Sequence, residues 1–364
     1  MSMSSRKLAA VAVAVLVCAV AAGTLLLYRW HRPFGSPKAG AAPEIVTQLP
    51  ADAPVIAYID VAALRRLQDS PLAVMLGLAG QNPQQDRDYA SFVRDTGFDY
   101  TRDLDQVAVA FWPSVSPKTP PQEDHRTLAV AEGRFDENRI KAYALRTGTT
   151  VPMGKRLLYV VPGHPTIALE FRSSTEIALA SGPDPSDLLA QPSPATREGI
   201  IEERVDRVAG APIFAVARTD SLPASLYQGL RGAPQFQTLA RSVQGLTFAG
   251  QPEGELIHLT LDAECDSVPS AIELATVVDS LRLLGSLALA DPQTRRQMTK
   301  QQVAFLTALL SQAKLAREDR WVRLALDVTP ALLGEANAQA RGDRPSNASS
   351  STPRTPSLVS AVGL

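Results

Sequence analysis

An uninterrupted apolar run near the N-terminus constrains this chain more than any other feature. After Arg6 and Lys7, residues 8–28 carry no charge and consist almost entirely of alanine, valine and leucine. About 20 such residues cross a bilayer core as a helix, and Trp30 follows where aromatic rings favour the headgroup region. The sequence therefore predicts a cytoplasmic tip and a transmembrane anchor in residues 1–31.

The same run could be a cleaved signal or a permanent anchor. Ala19 and Ala21 give the small-x-small form of a cleavage site, but the run continues through residues 25–27, which favours an uncleaved anchor. Basic residues flank both ends, so the positive-inside rule does not fix the orientation. The short N-terminal tail before a long body favours a single-pass protein of the bacterial inner membrane, with its body in the periplasm.

The composition argues against two features, a nucleic-acid partner and a disulfide bond within the chain. A hydrophobic content of 45% with 20% charged residues is typical of a globular body. The net charge is −1, from 36 basic and 37 acidic residues, which argues against a nucleic-acid partner because phosphates need a basic surface. Cys18 lies in the apolar run and Cys265 in the body, so we expect no disulfide within the chain.

Two segments of biased composition divide the rest of the chain. Residues 32–52 are rich in proline, glycine and alanine and are predicted to form a flexible tether. Residues 340–364 are rich in serine, threonine and proline and are predicted to be a disordered tail. Between them we predict two α+β repeats, in residues 53–208 and 209–339.

The repeat is visible in two matching strand openings. Residues 53–57 read APVIA and residues 211–215 read APIFA, each a short apolar run without helical period. Asp60 and Asp220 follow, each placed to cap the N-terminus of a helix.

The order of predicted elements then matches between the two halves. The first half has helices in 61–95, strands 106–112 and 127–134, a helix 137–147 capped by Asp136, strand 156–161, an extra hairpin 166–171 with 176–180, and a linking helix 196–208. The second half has helices in 222–242, strands 246–249 and 255–263, a helical hairpin 270–314 and strand 321–328. Each half thus reads β-α-β-β-α-β, and we predict two tandem ferredoxin-like repeats with helices on one sheet face.

The helical hairpin has the clearest local pattern. Ser270 and Glu273 are predicted to form a capping box. Apolar stripes follow on both helices: Leu274, Val277, Val278, Leu281 and Leu284, then Val303, Leu306, Leu310 and Ala313. We expect the stripes to pack on the sheet and on each other, and the alternative is a groove that binds a partner.

A short set of motifs resembles a known group. The run 49–54 (LPADAP), the strand after it, and 96–99 (TGFD) before 103–105 (DLD) resemble the DUF3352-like group of uncharacterised bacterial membrane-anchored proteins. The resemblance spans most of the body. It implies an anchored topology and no catalytic residues, because the group has no agreed activity.

Four carboxylates form the most polar constellation: Asp95, Asp99, Asp103 and Asp105. A calcium site is one interpretation, since calcium takes oxygen ligands from flexible loops. The spacing does not fit an EF-hand, and Arg94 and Arg102 can supply counter-charges. We favour a structural role, in which Gly97 ends a helix and Asp99 or Asp103 caps a turn.

Other motifs predict no catalytic site, metal site or cofactor. Ser311 and Lys314 match the Ser-x-x-Lys signature, but Lys118-Thr119 is the nearest approach to the partner motif that it requires. The histidines lack ligand spacing for zinc: they are His31, His125, His164 and His258.

We therefore predict a membrane-tethered extracytoplasmic binding or scaffolding protein, whose partners are the bilayer and an envelope protein. The alternative is an extracytoplasmic hydrolase with a dispersed active site built on the first-half carboxylates. An enzyme would show a pocket where polar groups converge, and a binding module would show an exposed apolar surface.

Overall fold

The architecture is that of a computed structural model. It describes residues 42–66, 87–113, 125–163, 165–190, 200–221, 241–253, 256–296, 298, 303, 306–307 and 310–329. The predicted anchor (residues 1–31), the predicted disordered tail (residues 340–364) and much of the predicted return helix of the hairpin lie outside these residues. None of the helices in these ranges is both long and apolar enough to cross a bilayer.

The described residues form strands and helices in a mixed order along the chain. The strands are β1 (Val55–Asp60), β2 (Leu104–Trp112), β3 (Arg126–Gly133), β4 (Thr149–Met153), β5 (Arg156–Val161), β6 (Thr166–Phe171), β7 (Glu176–Gly182), β8 (Ile213–Arg218), β9 (Val243–Glu253), β10 (Leu256–Cys265), β11 (Lys314–Glu318) and β12 (Trp321–Val328). The helices are α1 (Glu44–Thr47), α2 (Val61–Arg66), α3 (Arg87–Thr96), α4 (Tyr100–Asp103), α5 (Glu137–Ala144), α6 (Pro185–Ala190), α7 (Ile200–Val208), α8 (Val268–Ala290) and α9 (Pro292–Arg296).

All twelve strands form one sheet, in the order β11-β12-β10-β9-β8-β1-β2-β3-β7-β6-β5-β4. Each neighbouring pair is antiparallel. The predicted α+β class is confirmed. The two halves do not form separate sheets, because β1 and β8 pair with each other and join them.

The seam between β1 and β8 is locally symmetric. The Asp60 amide donates a hydrogen bond to the Pro212 carbonyl over 2.7 Å, and the Arg218 amide donates one to the Pro54 carbonyl over 2.8 Å. Pro54 and Pro212 occupy the same place in the two matching openings, so the same contact is made twice. Pairing the two openings leaves neither of these strands as an exposed sheet edge.

The two halves share both their pairing order and a β-bulge. Outward from the seam, the first half runs β1-β2-β3-β7-β6 and the second runs β8-β9-β10-β12-β11. The register shifts where Asp105 interrupts the pairing of β2 with β3, and again where Gln244 interrupts that of β9 with β10. This shared irregularity allows β2 and β3 to be matched residue by residue to β9 and β10.

The predicted ferredoxin-like order is wrong. That order would place the first strand of each half between the third and fourth, whereas β1 lies between β2 and β8. The β6–β7 hairpin, predicted to be an addition, occupies the place that the β11–β12 hairpin has in the second half. The additional hairpin is β4–β5, and β11 replaces the end of the predicted helix at 314. The element order along the chain is common to both topologies and does not specify which strands pair.

Helices cover both faces of the sheet, not one as predicted. On the α2 face, helices α2 and α5 contribute Leu64 and Ile140 to a core with β1 and β2. On the α1 face, α1, α6 and α7 contribute residues such as Leu189 and Val205 to a second core. A wide antiparallel sheet whose strands are apolar on both sides requires such cover.

Residues 42–52 belong to the body, which corrects the predicted tether boundary. Ile45, Val46 and Leu49 are at most 1% exposed and pack in the core of the α1 face. The proline and alanine content of this segment indicated a linker, but Ile45 and Val46 of the short α1 and Leu49 just after it cover the sheet.

The caps were predicted with mixed success. Asp60 accepts a hydrogen bond from the Ala63 amide (2.7 Å), and Asp136 accepts one from the Arg139 amide (3.1 Å), as predicted. Asp220 binds the Arg218 guanidinium, and the helix that it was predicted to cap lies outside the described residues. The predicted capping box is wrong because α8 begins earlier: Ser267 is its N-cap.

Candidate functional site

Two of the four carboxylates build the turn before β2. Asp99 caps α4 by accepting a hydrogen bond from the Thr101 amide over 3.0 Å. Asp103 is buried, accepts the Asp99 amide and is paired with Arg102 at 2.6 Å. The hydrogen bond from Arg102 lowers the pKa of the Asp103 carboxyl, opposed by its burial. These carboxylates therefore serve the local fold.

The other two carboxylates are paired with arginines elsewhere. Asp95 lies 2.7 Å from Arg146 of the chain after α5, and Asp105 lies 3.4 Å from Arg65 of α2. Gly97 ends α3 with a φ of +77°, in the left-handed region, as predicted. Among the described residues, no group of three histidine, cysteine, aspartate or glutamate side chains could hold a metal ion.

The remaining predicted motifs are dispersed. Ser311 lies in the helical residues before β11, and Lys314 opens β11 with its Nζ 3.5 Å from Asp327. His258 lies between Asp327 and Glu253, with nitrogen–oxygen distances of 2.5 and 2.8 Å. His125 contacts an aromatic ring of β2, whereas His31, His164 and Lys118 lie outside the described residues.

A buried ion-pair network on the second half was not predicted. Glu264 and Asp262 lie on β10 and are 1% and 2% exposed. Arg204 of α7, itself 1% exposed, donates to Glu264 over 2.7 Å, and Arg323 of β12 donates to Asp262 through two hydrogen bonds of 2.6 and 2.7 Å. Charges buried to this degree require close partners, and each carboxylate has one.

Further arginines surround the same network. Arg320 lies 2.9 Å from Glu264, and Arg207 lies 3.6 Å from Asp262. The Arg207 guanidinium also stacks over Trp321, 4.1 Å from the ring centre. Glu318 of β11 lies 3.5 Å from Arg207, and Glu203 of α7 lies 3.3 Å from Arg320. The network thus sets four arginines against four carboxylates, joins α7 to β10, β11 and β12, and offers no free charge to a substrate.

The first half has mostly apolar residues where the second half has this network. Counting from the shared bulge, Glu132 is equivalent to Glu264, Val130 to Asp262 and Leu128 to Thr260. Val130 and Leu128 pack in the core of the α1 face. The two halves therefore use one strand framework with different chemistry on the same face.

The sequence of β10 carried part of this signal. His258, Thr260, Asp262 and Glu264 alternate with apolar residues, which indicates a strand with one polar face. Such a face is ordinarily assigned to solvent, and only the tertiary position of α7 shows that it is covered.

Cys265, beside this network, is a free and fully buried thiol. Burial raises the pKa of the thiol to about 11, with smaller contributions from Asp266 and Glu264. It stays protonated at neutral pH, so it is suited to packing and not to nucleophilic chemistry.

A patch of exposed leucines lies on the second half of α8. Leu281, Leu283, Leu284 and Leu287, here called the α8 patch, are 47%, 54%, 60% and 68% exposed. Ala271 and Leu274, in the first turns of α8, pack on the sheet with Val322. The expectation that the whole stripe packs inward therefore holds only at the start of the helix, because Leu281 and Leu284 are exposed.

Comparison with known proteins gives only distant structural matches. No protein-family profile matches the sequence, and no curated protein matches it significantly. Three solved structures, crystal forms I, III and IV of the Treponema pallidum protein TP0453, match at 8%, 10% and 8% identity. They cover 83%, 83% and 81% of this chain and 99%, 100% and 96% of theirs, with TM-scores of 0.40, 0.41 and 0.42. Similarity this distant assigns no function to the chain.

Proposed function

We propose that this chain is a membrane-tethered extracytoplasmic binding or scaffolding protein, and that the α8 patch is its binding surface. The observation that carries the proposal is the exposure of four leucines on a helix that is fixed to the sheet at its other end. Contiguous apolar surface of this kind is costly to leave in water and is typical of interaction sites.

The hydrogen-bond and ion-pair partners of the carboxylates favour a binding protein over a hydrolase. The carboxylates that a hydrolase would use are committed to the fold: Asp99 to a helix cap, and Asp103 and Asp95 to arginines. Glu264 and Asp262 are held in the same way beneath α7. A catalytic carboxylate needs access to substrate, and a carboxylate that is held in a helix cap or in an ion pair is already engaged by the fold.

The proposed anchor gives the binding surface a location. If residues 8–28 span the inner membrane, residues 29–41 connect the membrane to the packed α1 segment. Fully extended, they reach at most about 45 Å. The body is then confined close to the periplasmic surface of the membrane, a fitting position for a scaffold of the envelope.

Cysteine labelling in native membranes tests both parts of the proposal. In a full chain carrying Cys18→Ser and Cys265→Ala, a Leu284→Cys variant reports on the patch. The matched control is Leu157→Cys, which is 44% exposed on β5, near the opposite edge of the sheet. A membrane-impermeant maleimide should label position 157 in intact spheroplasts, because the body lies outside.

Position 284 should react at about a tenth of the rate of position 157, as expected for a surface covered nine-tenths of the time. Both positions should react equally after unfolding in urea. Equal rates in native membranes would show that nothing covers the patch and would refute the binding role. Labelling of position 157 only after the membranes are broken would refute the orientation.

A further inference from the structure

We propose that the α8 patch binds the surface of an anionic lipid bilayer, as a second membrane contact in addition to the predicted anchor. The proposal rests on the binding role assigned above to this patch and names its partner. Three observations support it: the shape of the patch, the charges beside it and the attachment of α8 to the sheet.

The shape of the patch fits a soft surface better than a partner helix. At about 100° per residue, Leu281, Leu283, Leu284 and Leu287 spread over roughly half of the helix circumference. A helix–helix seam needs a narrower stripe that recurs every three and four residues. A convex apolar surface this broad can be buried along its whole width when the helix lies in the headgroup region of a bilayer.

The charges beside the patch match an anionic surface. Residues 279–296, which contain the patch and α9, carry Arg282, Arg295 and Arg296 against Asp279 and Asp291. Arg282 is paired with Asp279 at 2.9 Å, so the basic charge beside the patch comes from Arg295 and Arg296. Both Arg295 and Arg296 are exposed just beyond the end of α8. Arginines flanking an apolar helix surface attract anionic lipid headgroups, and the whole chain, with its net charge of −1, has no general basic character.

The mounting of α8 leaves the patch accessible to a flat surface. The helix has 23 residues and is about 35 Å long, and Ala271 and Leu274 in its first turns hold it to the sheet. On another side, a Cβ added at Gly285 would lie 3.2 Å from Leu310 of the return helix. At about 100° per residue, Gly285 lies beside Leu281 but nearly opposite Leu283 and Leu287. Leu310 therefore lies at one margin of the patch and leaves Leu283 and Leu287 exposed.

Collision accessibility of a spin label tests the partner. The full chain with Cys18→Ser and Cys265→Ala is reconstituted in vesicles of phosphatidylcholine with or without phosphatidylglycerol. A nitroxide at Leu287→Cys reports on the patch, and one at Leu157→Cys is the matched control. Oxygen concentrates in the bilayer, whereas a water-soluble nickel chelate is excluded from it.

With phosphatidylglycerol present, the label at position 287 should collide more often with oxygen and less often with the nickel chelate. Both collision rates of the label at position 157 should stay unchanged. Replacing both Arg295 and Arg296 by glutamine should reverse much of this shift, as should removing the anionic lipid.

A loss of both kinds of collision at position 287 would indicate a protein contact, including a second copy, and would overturn the lipid proposal. Nickel collisions equal to those at position 157 would place the patch in water and would also overturn it. Protection from maleimide in native membranes together with either result would retain the binding function and reject only the bilayer as its partner.

Discussion

Replacing Arg204 with methionine is expected to lower the free energy of unfolding by about 3–5 kcal/mol, because the change leaves a buried carboxylate without its closest partner. Glu264 is 1% exposed and lies 2.7 Å from the Arg204 Nε. A β-carbon at Gly245 would come within 2.2 Å of the same guanidinium, so the strand is shaped around this arginine. Urea unfolding of the variant and the parent chain measures the loss.

The matched control is Arg320→Met. Arg320 also contacts Glu264, at 2.9 Å, but its side chain is 40% exposed. Its loss should cost no more than about 1 kcal/mol, as for solvent-screened pairs. The double variant Arg204→Met with Glu264→Gln should recover a large part of the stability, since the unpaired charge is gone. Equal, small losses in both single variants would contradict the account of a closed ionic network beneath α7.

Leu49→Ala is expected to destabilise the body by about 2–5 kcal/mol, the usual cost of a cavity in a packed core. Leu49 follows α1 and is fully buried on the α1 face of the sheet. The control is Thr47→Ala in the same segment, whose side chain is exposed and should change stability by less than about 0.5 kcal/mol. Thermal or urea unfolding gives the comparison. A Leu49 variant as stable as the control would return residues 42–52 to the tether.

Local features of the fold could be predicted because they depend on neighbouring residues. The apolar openings after Pro54 and Pro212 indicated two strands, and Asp60 and Asp136 indicated helix starts. Pairing could not be predicted in the same way. The meeting of β1 with β8 depends on two segments far apart in the chain, and the order of elements is the same in a ferredoxin-like unit and in the observed sheet.

Only part of the candidate site could be predicted from the sequence. Leu281 and Leu284 extended the predicted stripe of α8, but Leu283 and Leu287 fall outside it, and one helix cannot bury all four against a single sheet face. That excess of leucine was the available signal of an exposed surface. The ionic network could not be predicted, because polar residues that alternate along a strand, such as Asp262, are ordinarily assigned to a solvent-facing side. Only the position of α7 shows that this side is covered.

The stability of a Leu284→Gln, Leu287→Gln double variant tests the central claim most directly, because a surface kept apolar for binding contributes little to folding. Glutamine has a helix propensity close to that of leucine, so α8 itself is preserved. The account predicts a change in the free energy of unfolding of less than about 1 kcal/mol in total, as for exposed positions. A loss of about 4 kcal/mol or more, the sum expected for two core leucines, would show that these side chains hold the fold together and would contradict their assignment as a binding surface.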